Sequence, residues 1–338
     1  MGRLIRLLLC TLFTLQVFAQ TTLNGAGATF PYPMYSKWFN EYHNQHSNIQ
    51  INYQSIGSGG GIRQVTEGTV DFGASDMPMT DAQLAEAQQK RSTKILNIPT
   101  VLGANVPAYN LPGVGSDIKF TPEALAGIFL GKITKWNDPA ITSVNPGISF
   151  PDKAIIVVHR SDGSGTTFIW TDYLSKVSPE WESKVGRNTS VQWPIGLGGK
   201  GNEGVAGSIR QLAGSIGYVE LIYAVQNNIS YGSVKNAAGN FVKASLEGVT
   251  AAAASSAKMP PDFRVSITNP PGKDAYPISS FTWLLIPQQS KDAAKGKILA
   301  DFLNWMVTDG QKMTSALTYA PLPESVAQKV KEAIKQVK

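Results

Sequence analysis

Short apolar segments alternate with glycine-rich loops and amphipathic segments along most of this chain. Ile49, Ile51 and Tyr53 alternate as in a strand, and residues 57–61 form a glycine-rich loop ahead of a short helical pattern through residues 62–66. Residues 155–159 are largely apolar, as in a strand of a parallel sheet that is covered on both faces. This alternation predicts an α/β fold with parallel sheets.

Other segments continue the same pattern, and none of them repeats another. Apolar residues at helical spacing predict helices over 35–46, 80–91, 122–130, 167–175, 221–227, 298–306 and 326–337. Apolar runs of strand length predict strands over 70–74, 215–219 and 281–286.

The composition limits the functions that such a fold can carry. A length of 338 residues suggests two domains, since a domain usually holds about 100–200 residues. The net charge of +6 is spread along the chain without a run of like charges, so we expect no nucleic-acid partner. Cys10 is the only cysteine and the three histidines are scattered, so we expect neither a metal site nor a cofactor.

The N-terminus has the three parts of a secretory signal peptide. Arg3 and Arg6 precede a largely apolar run over 7–18, and Ala19 offers a small residue at the cleavage point. We therefore predict that residues 1–19 are removed near Ala19, although a buried N-terminal helix is an alternative. No later segment has 18 consecutive apolar residues, so we expect an exported, periplasmic protein that does not itself span the membrane.

Four loops combine small residues with hydroxyl groups, and three of them precede a predicted helix. Backbone N–H groups at a helix start bind anions, and glycine lets the backbone approach the ligand closely. Arg160 adds a permanent, forked positive charge that suits a tetrahedral oxyanion. The alternative is that each loop is an ordinary strand-to-helix turn with a serine cap. The loops are residues 25–31, 57–61, 75–76 and 160–166.

These loops do not match two common catalytic patterns. Lys200 is followed by Gly201 where a phosphate-binding loop of an NTPase needs Ser or Thr. The serine-hydrolase elbow is absent around Ser164, because Asp162 stands where that pattern needs glycine. His159 as an activating base for a serine is a weaker alternative, because its neighbours predict that it lies in a strand.

Six segments of the chain carry a family resemblance. They are GAGATFPYPMYSKWF, YQSIGSGGGIRQV, TVDFGASDMPMTDAQL, GKITKWNDPAI, VVHRSDGSGTTFIWTDYLSKVSPEW and WPIGLGGKGNEGVAGSI. These segments resemble the periplasmic phosphate-binding proteins of the high-affinity phosphate ABC importer, the PstS family. The resemblance implies two α/β lobes joined by a hinge, with the ligand in the cleft between them. It places lobe 1 at residues 20–100 and 274–338 and lobe 2 at residues 101–273.

The resemblance also implies a set of phosphate-binding residues. Arg160 would pair with the anion and be steadied by Asp162, and Asp76 would accept a hydrogen bond from the anion. Phosphate near neutral pH carries a proton that it can donate to Asp76, whereas sulfate carries none and would face a like charge in a dry site. The full set is Thr29, Phe30, Ser58, Asp76, Arg160, Ser164, Gly165 and Thr166.

The implied function is capture of inorganic phosphate and its delivery to the membrane permease subunits of an ABC transporter, without enzymatic activity. A binding protein for another tetrahedral oxyanion is the nearest alternative, and the residues alone do not separate phosphate from arsenate. An exported phosphatase that uses Ser58 or Ser164 as nucleophile is a further alternative, as is a surface adhesion or sensing protein that uses the same fold.

Overall fold

A computed structural model describes residues 20–115, 117–256 and 258–338. The predicted signal peptide, residues 1–19, and Cys10 within it lie outside the described residues. The strands of the described part are β1 (Thr21–Gly27), β2 (Ile49–Ser55), β3 (Phe72–Ser75), β4 (Ile95–Asn110), β5 (Lys119–Phe120), β6 (Ile156–Arg160), β7 (Leu197–Gly199), β8 (Ser215–Glu220), β9 (Ser230–Tyr231), β10 (Ser233–Lys235), β11 (Phe241–Val242) and β12 (Ser279–Pro287).

The helices alternate with these strands along most of the chain, which confirms the predicted α/β class. Two short 3₁₀ helices, Gly310–Met313 and Ser315–Leu317, precede the last α-helix. The α-helices are α1 (Tyr32–Gln45), α2 (Ser58–Glu67), α3 (Asp81–Arg91), α4 (Pro122–Phe129), α5 (Pro139–Thr142), α6 (Gly165–Val177), α7 (Pro179–Lys184), α8 (Gly201–Gln211), α9 (Leu221–Gln226), α10 (Leu246–Ser255), α11 (Ala293–Met306) and α12 (Glu324–Ile334).

Nine strands form one continuous sheet in the order β2-β1-β3-β12-β4-β8-β6-β7, with β9 beside β4. The strands at each end of this order are parallel, as β2, β1 and β3 are to one another and β8, β6 and β7 are to one another. In the middle, β12 is antiparallel to β3 and β4, and β4 is antiparallel to β8. The prediction of parallel sheets was therefore wrong for the centre, where the sheet is mixed.

The long strand β4 joins the two ends of the sheet. Its first part, up to Ala104, pairs with β12, and Asn105–Asn110 pairs with β8. The pairing with β12 shifts register at Thr100, directly after Pro99, which has no N–H to donate. A bulge there accommodates a proline that would otherwise interrupt a central strand. The predicted lobe boundaries at residues 100–101 and 273–274 remain a prediction.

Helix α1 packs its aromatic stripe against one end of the sheet, as its spacing predicts. Phe39 lies at the centre of this cluster, with ring-centroid distances of 6.0 Å to Tyr53 and Phe72 and 5.4 Å to Phe302 of α11. Such tilted aromatic contacts add to the apolar area that the helix buries. The cluster holds the middle of α1 against the sheet, and the helix begins three residues after Thr29.

Two glycine-rich segments have more regular structure than the sequence predicts. Gly25 and Gly27 belong to strand β1, where a loop was predicted. Ser58–Glu67 is one helix, so α2 begins inside the predicted glycine loop. Glycine is needed at Gly61 because a Cβ there would lie 2.5 Å from the carbonyl oxygen of Ala74 and 2.6 Å from the Cα of Gly27. Helix α2 therefore rests directly on the backbone of β1 and β3.

We predict that Gly61→Ala destabilises the ligand-free protein by about 2–3 kcal/mol, because the added methyl group must push α2 away from two strands. Gly207→Ala in α8 is the matched control, since a Cβ at Gly207 meets no atom within 4 Å. The control should be up to about 1 kcal/mol more stable than wild type, because alanine favours a helix. Urea unfolding of both variants measures the difference, and equal stabilities would contradict the close packing.

Candidate anion-binding site

The four predicted loops lie at the carboxyl ends of strands and converge on one buried place. Thr29 follows β1, Ser58 follows β2 and Asp76 follows β3, and these three strands are parallel, so their ends share an edge of the sheet. Arg160 ends β6, and the residues after it open α6. The two sides meet where the amide of Gly165 donates to Ser58 Oγ at 3.0 Å.

Asp162 holds the Arg160 guanidinium in a fixed orientation. Arg160 Nε donates to Asp162 Oδ1 at 2.8 Å and Nη2 donates to Oδ2 at 2.5 Å, while Nη1 donates to Thr166 Oγ1 at 3.2 Å. Burial alone would raise the pKa of Asp162, but the hydrogen bonds and charge of Arg160 outweigh it and lower that pKa. Arginine has five N–H bonds, so these contacts leave two for a ligand.

Asp76 is the buried acidic group of the site, with 1% of its surface exposed. Its Oδ1 accepts from Thr282 Oγ1 at 2.7 Å, whereas Oδ2 is 3.5 Å from Ser58 Oγ, where a hydrogen bond is weak. Burial raises the pKa of Asp76 to about 7, although the bond from Thr282 and the charge of Arg160 partly oppose this. Oδ2 is therefore an acceptor that is only weakly satisfied by the protein.

Glycine at position 165 allows the α6 start to approach this carboxylate. A Cβ at Gly165 would lie 2.5 Å from both Asp76 Oδ2 and Ser58 Oγ, closer than real Cβ contacts. A second backbone contact lies beside it, where the amide of Gly59 donates to the carbonyl of Gly163 at 2.9 Å. The loop after β6 and the start of α2 therefore touch through a backbone hydrogen bond at Gly59 and through the side chain of Ser58 next to it.

Asn202, which the sequence did not single out, connects Thr29 and Thr166. It is fully buried at the start of α8, and its Nδ2 donates to Thr29 Oγ1 at 2.7 Å and to Thr166 Oγ1 at 3.0 Å. Its backbone N–H also donates to Thr29 Oγ1 at 3.2 Å. Asn202 lies in the segment GGKGNEG, which is part of one of the segments that resemble the PstS family. In the sequence analysis this segment was considered only because its lysine does not match the NTPase pattern.

Three hydroxyl groups of the site are constrained to donate. A hydroxyl has two lone pairs and one hydrogen, so an oxygen that accepts two N–H bonds can only donate further. Thr29 Oγ1 accepts two from Asn202, and Thr166 Oγ1 accepts one each from Asn202 and Arg160. Ser58 Oγ accepts from the amides of Asp76 and Gly165. The site thus presents donors together with one weakly satisfied acceptor.

Two predicted ligand residues also have structural contacts. Ser164 Oγ caps α6 by accepting from the amide of Thr167 at 3.0 Å, which is the alternative considered for a serine in such a loop. The Phe30 ring packs near Tyr319, whose hydroxyl donates to the Phe30 carbonyl at 2.6 Å. Their part in binding a ligand remains a prediction. For Ser164 it concerns the hydroxyl hydrogen, and for Phe30 it concerns the backbone.

Other features lie apart from this cluster. His159 stacks on Trp193 at 4.8 Å and its Nδ1 faces the Arg160 carbonyl, so it has a packing role within β6. An apolar cavity of about 610 Å³ is lined by Met259, Phe281 and Leu322, among others, and by none of the site residues. Across residues 20–115, 117–256 and 258–338, no group of three or more metal-ligating side chains could hold an ion.

Comparison with known proteins identifies the family. A sequence model of the PBP superfamily domain matches residues 17–310. The phosphate-binding protein PstS of Xylella fastidiosa is 50% identical over 313 residues, which cover 91% of this chain and 83% of that protein. The chain belongs to the PstS family. PstS of Pasteurella multocida is 48% identical over 325 residues, covering 96% of this chain and 92% of that protein.

Solved structures share the fold at lower identity. A phosphate-binding protein from Stenotrophomonas maltophilia superposes with a TM-score of 0.70 at 20% identity, covering 92% of this chain and 93% of that one. A high-affinity periplasmic phosphate-binding protein solved with phosphate gives a TM-score of 0.73 at 22% identity, with the same coverage. The predicted periplasmic-binding-protein fold is thereby confirmed. Within the described residues, no helix is long and apolar enough to cross a membrane.

We predict that Asp76 makes the ligand-free protein less stable as the pH rises. Its folded-state pKa is raised from 3.8 to about 7, so its stabilising proton is present below pH 4 and is lost as the pH rises to 7. Between pH 5 and pH 8, wild type should lose roughly 2–3 kcal/mol more of its free energy of unfolding than Asp76→Asn does.

Urea unfolding of both proteins at the two pH values measures this difference. Asp301→Asn is the control, since it removes an exposed carboxyl of α11 that is not part of the site. The same pH dependence in wild type and Asp76→Asn would contradict the raised pKa.

Proposed function

We propose that this protein captures inorganic phosphate in a closed, water-free site and delivers it to the permease subunits of an ABC importer. Membership of the PstS family supports the proposal, as do the names of relatives up to 50% identical. The proposed ligand residues are Thr29, Phe30, Ser58, Asp76, Arg160, Ser164, Gly165 and Thr166, and Asp162 orients Arg160.

The observation that carries this proposal is the pattern of donors around one acceptor. Thr29 and Thr166 can offer a ligand only a hydrogen, and Arg160 keeps two N–H bonds. Ser58 can also only donate, and its hydrogen becomes available to a ligand when the weak bond to Asp76 Oδ2 is released. Such a set suits an ion whose oxygens are acceptors. Asp76 Oδ2 requires that one ligand oxygen carry a proton, or that the carboxyl itself be protonated. Phosphate at neutral pH meets this requirement, because one proton can be shared between the two groups.

Export and release complete the proposed function. Residues 1–19 direct the chain to the periplasm and are cleaved near Ala19. Lobe 1, residues 20–100 and 274–338, and lobe 2, residues 101–273, close over the ion and open at the permease. The path of the chain is consistent with this division, since β4 and β12 are the strands at which the two parallel ends of the sheet meet. Closure removes water, which strengthens every hydrogen bond to the ion.

Titration calorimetry of the purified, ligand-stripped protein tests the function directly. At pH 8, where Asp76 is ionised, phosphate should bind with a micromolar or lower dissociation constant, and sulfate should not compete at a hundredfold excess. Arsenate should bind as phosphate does, because it carries a proton at the same pH. Preference for sulfate over phosphate would overturn the proposal and favour another oxyanion.

A phosphatase is the second candidate function, because one contact places a carboxylate beside the Ser58 hydroxyl. The sequence offered no base beside Ser58, but the structure places Asp76 Oδ2 3.5 Å from its oxygen. Against nucleophilic attack, both lone pairs of that oxygen already accept amide hydrogens. We propose binding without turnover, and hydrolysis of a chromogenic phosphate ester that Ser58→Ala abolishes would contradict this.

We predict that Arg160→Ala weakens phosphate binding by about 3–5 kcal/mol, because the anion then lies in a dry site without its charged partner. Arg187→Ala is the control, since Arg187 is half-exposed and pairs with Asp172 rather than with the site. The control should bind phosphate as wild type does. Calorimetric affinity of Arg160→Ala within threefold of wild type would show that Arg160 has no such role.

We predict that Asp76→Asn admits sulfate, since the amide carries no charge and can donate to a sulfate oxygen. Sulfate should compete with phosphate in this variant at comparable concentrations, and in wild type only at acidic pH, where Asp76 is protonated. Competition calorimetry at pH 5 and pH 8 measures both effects. If sulfate still fails to compete in Asp76→Asn, Asp76 does not exclude it by charge.

A further inference from the structure

We propose that Asn202 is a positioning residue that makes Thr29 and Thr166 hydrogen-bond donors toward the ligand. The inference rests on the proposed phosphate site and adds a residue outside its ligand set. Asn202 lies at the second position of α8, and no part of it is exposed to solvent. It is therefore held among the site residues without itself being placed as a ligand.

The orientation of the Asn202 amide follows from its partners. The backbone nitrogen of Glu220 lies 2.9 Å from one end of the Asn202 side-chain amide. Because an N–H can only donate, that end must be the oxygen Oδ1. The opposite end is consequently Nδ2, which has two hydrogens. Those hydrogens meet Thr29 Oγ1 at 2.7 Å and Thr166 Oγ1 at 3.0 Å.

Each threonine then has a second N–H donor that fills its remaining lone pair. The Asn202 backbone amide supplies it to Thr29, and Arg160 Nη1 supplies it to Thr166. With both lone pairs used, neither hydroxyl can accept a bond from the ligand, and each hydrogen must point elsewhere. Asn202 thus sets the polarity of two of the hydroxyls in the proposed ligand set. The hydroxyls need no rotation when phosphate enters.

The substitution Asn202→Asp tests this polarity with almost no change of shape. The introduced carboxylate can still accept from the Glu220 amide, but it has no hydrogen for Thr29 or Thr166. Both hydroxyls are then free to donate to that carboxylate instead of to phosphate, and the new charge faces the anion. Phosphate affinity should fall about 100-fold or more, on the scale of two charge-assisted hydrogen bonds.

Asn145 provides a matched control elsewhere in the fold. It is buried, its Oδ1 accepts from the Lys119 amide at 2.8 Å, and its Nδ2 donates to the carbonyls of Lys119 and Ile141. Asn145→Asp should lower the free energy of unfolding, because it loses the bonds that Nδ2 donates. It should leave phosphate affinity within threefold of wild type. The same small effect in Asn202→Asp would overturn the inference.

A double-mutant cycle separates positioning from simple packing. Thr166→Val should weaken phosphate binding about tenfold in wild type, and by less than threefold in Asn202→Asp, where the hydroxyl no longer serves the ligand. An equal cost of Thr166→Val in both backgrounds would show that Asn202 only fills space. Calorimetry on the full set of ligand-stripped proteins supplies the four affinities.

A third variant keeps the test decisive if Asn202→Asp does not fold. Asn202→Ala removes the two Nδ2 hydrogens that bind Thr29 and Thr166 without adding a competing acceptor. Its loss of phosphate affinity should therefore be smaller than that of Asn202→Asp but at least about fivefold. Asn145→Ala is its control. Wild type that fails to bind phosphate would refute the proposed function itself, whereas wild-type binding with unaffected Asn202 variants would refute this inference alone.

Discussion

The buried pairing of Arg160 with Asp162 is the interaction on which the site depends. Arg160 has only 3% of its surface exposed, so its buried charge must be compensated. Asp162 does this through two hydrogen bonds that also fix the plane of the guanidinium. The pair is neutral, and with Asp76 ionised the three groups sum to one negative charge. Anion binding here therefore relies on oriented N–H and O–H dipoles rather than on a surplus of positive charge.

Orientation of the dipoles comes from contacts that reach across the chain. Ser58 Oγ accepts hydrogen bonds from the amides of Gly165 and Asp76, which are 107 and 18 residues away in sequence. Asn202 donates to Thr29, which is 173 residues away in sequence. Such contacts form only when the strand ends and helix starts are already in place. The binding geometry is thus a product of the whole fold, and the same contacts that assemble the two sides of the site also prepare its hydroxyls.

The sequence predicts those parts whose signal is local. Helix α1, strand β8 and the cap at Thr80 follow from apolar spacing and capping, and the resemblance points to Arg160. Strand β4 was not predicted, because Pro99 breaks the strand pattern and only the bulge against β12 accommodates it. Asn202 was missed for another reason. Its role follows from hydrogen bonds with Thr29, Thr166 and Glu220, which lie in other segments of the chain, and no local pattern can indicate such contacts.

Strand β4 carries a mechanical consequence. It is one long strand that is hydrogen-bonded to β12 along its first part, with the bulge at Thr100, and to β8 along its second. Because these partners lie on opposite sides of β4, a rotation of one end of the sheet against the other would have to twist or bend this strand.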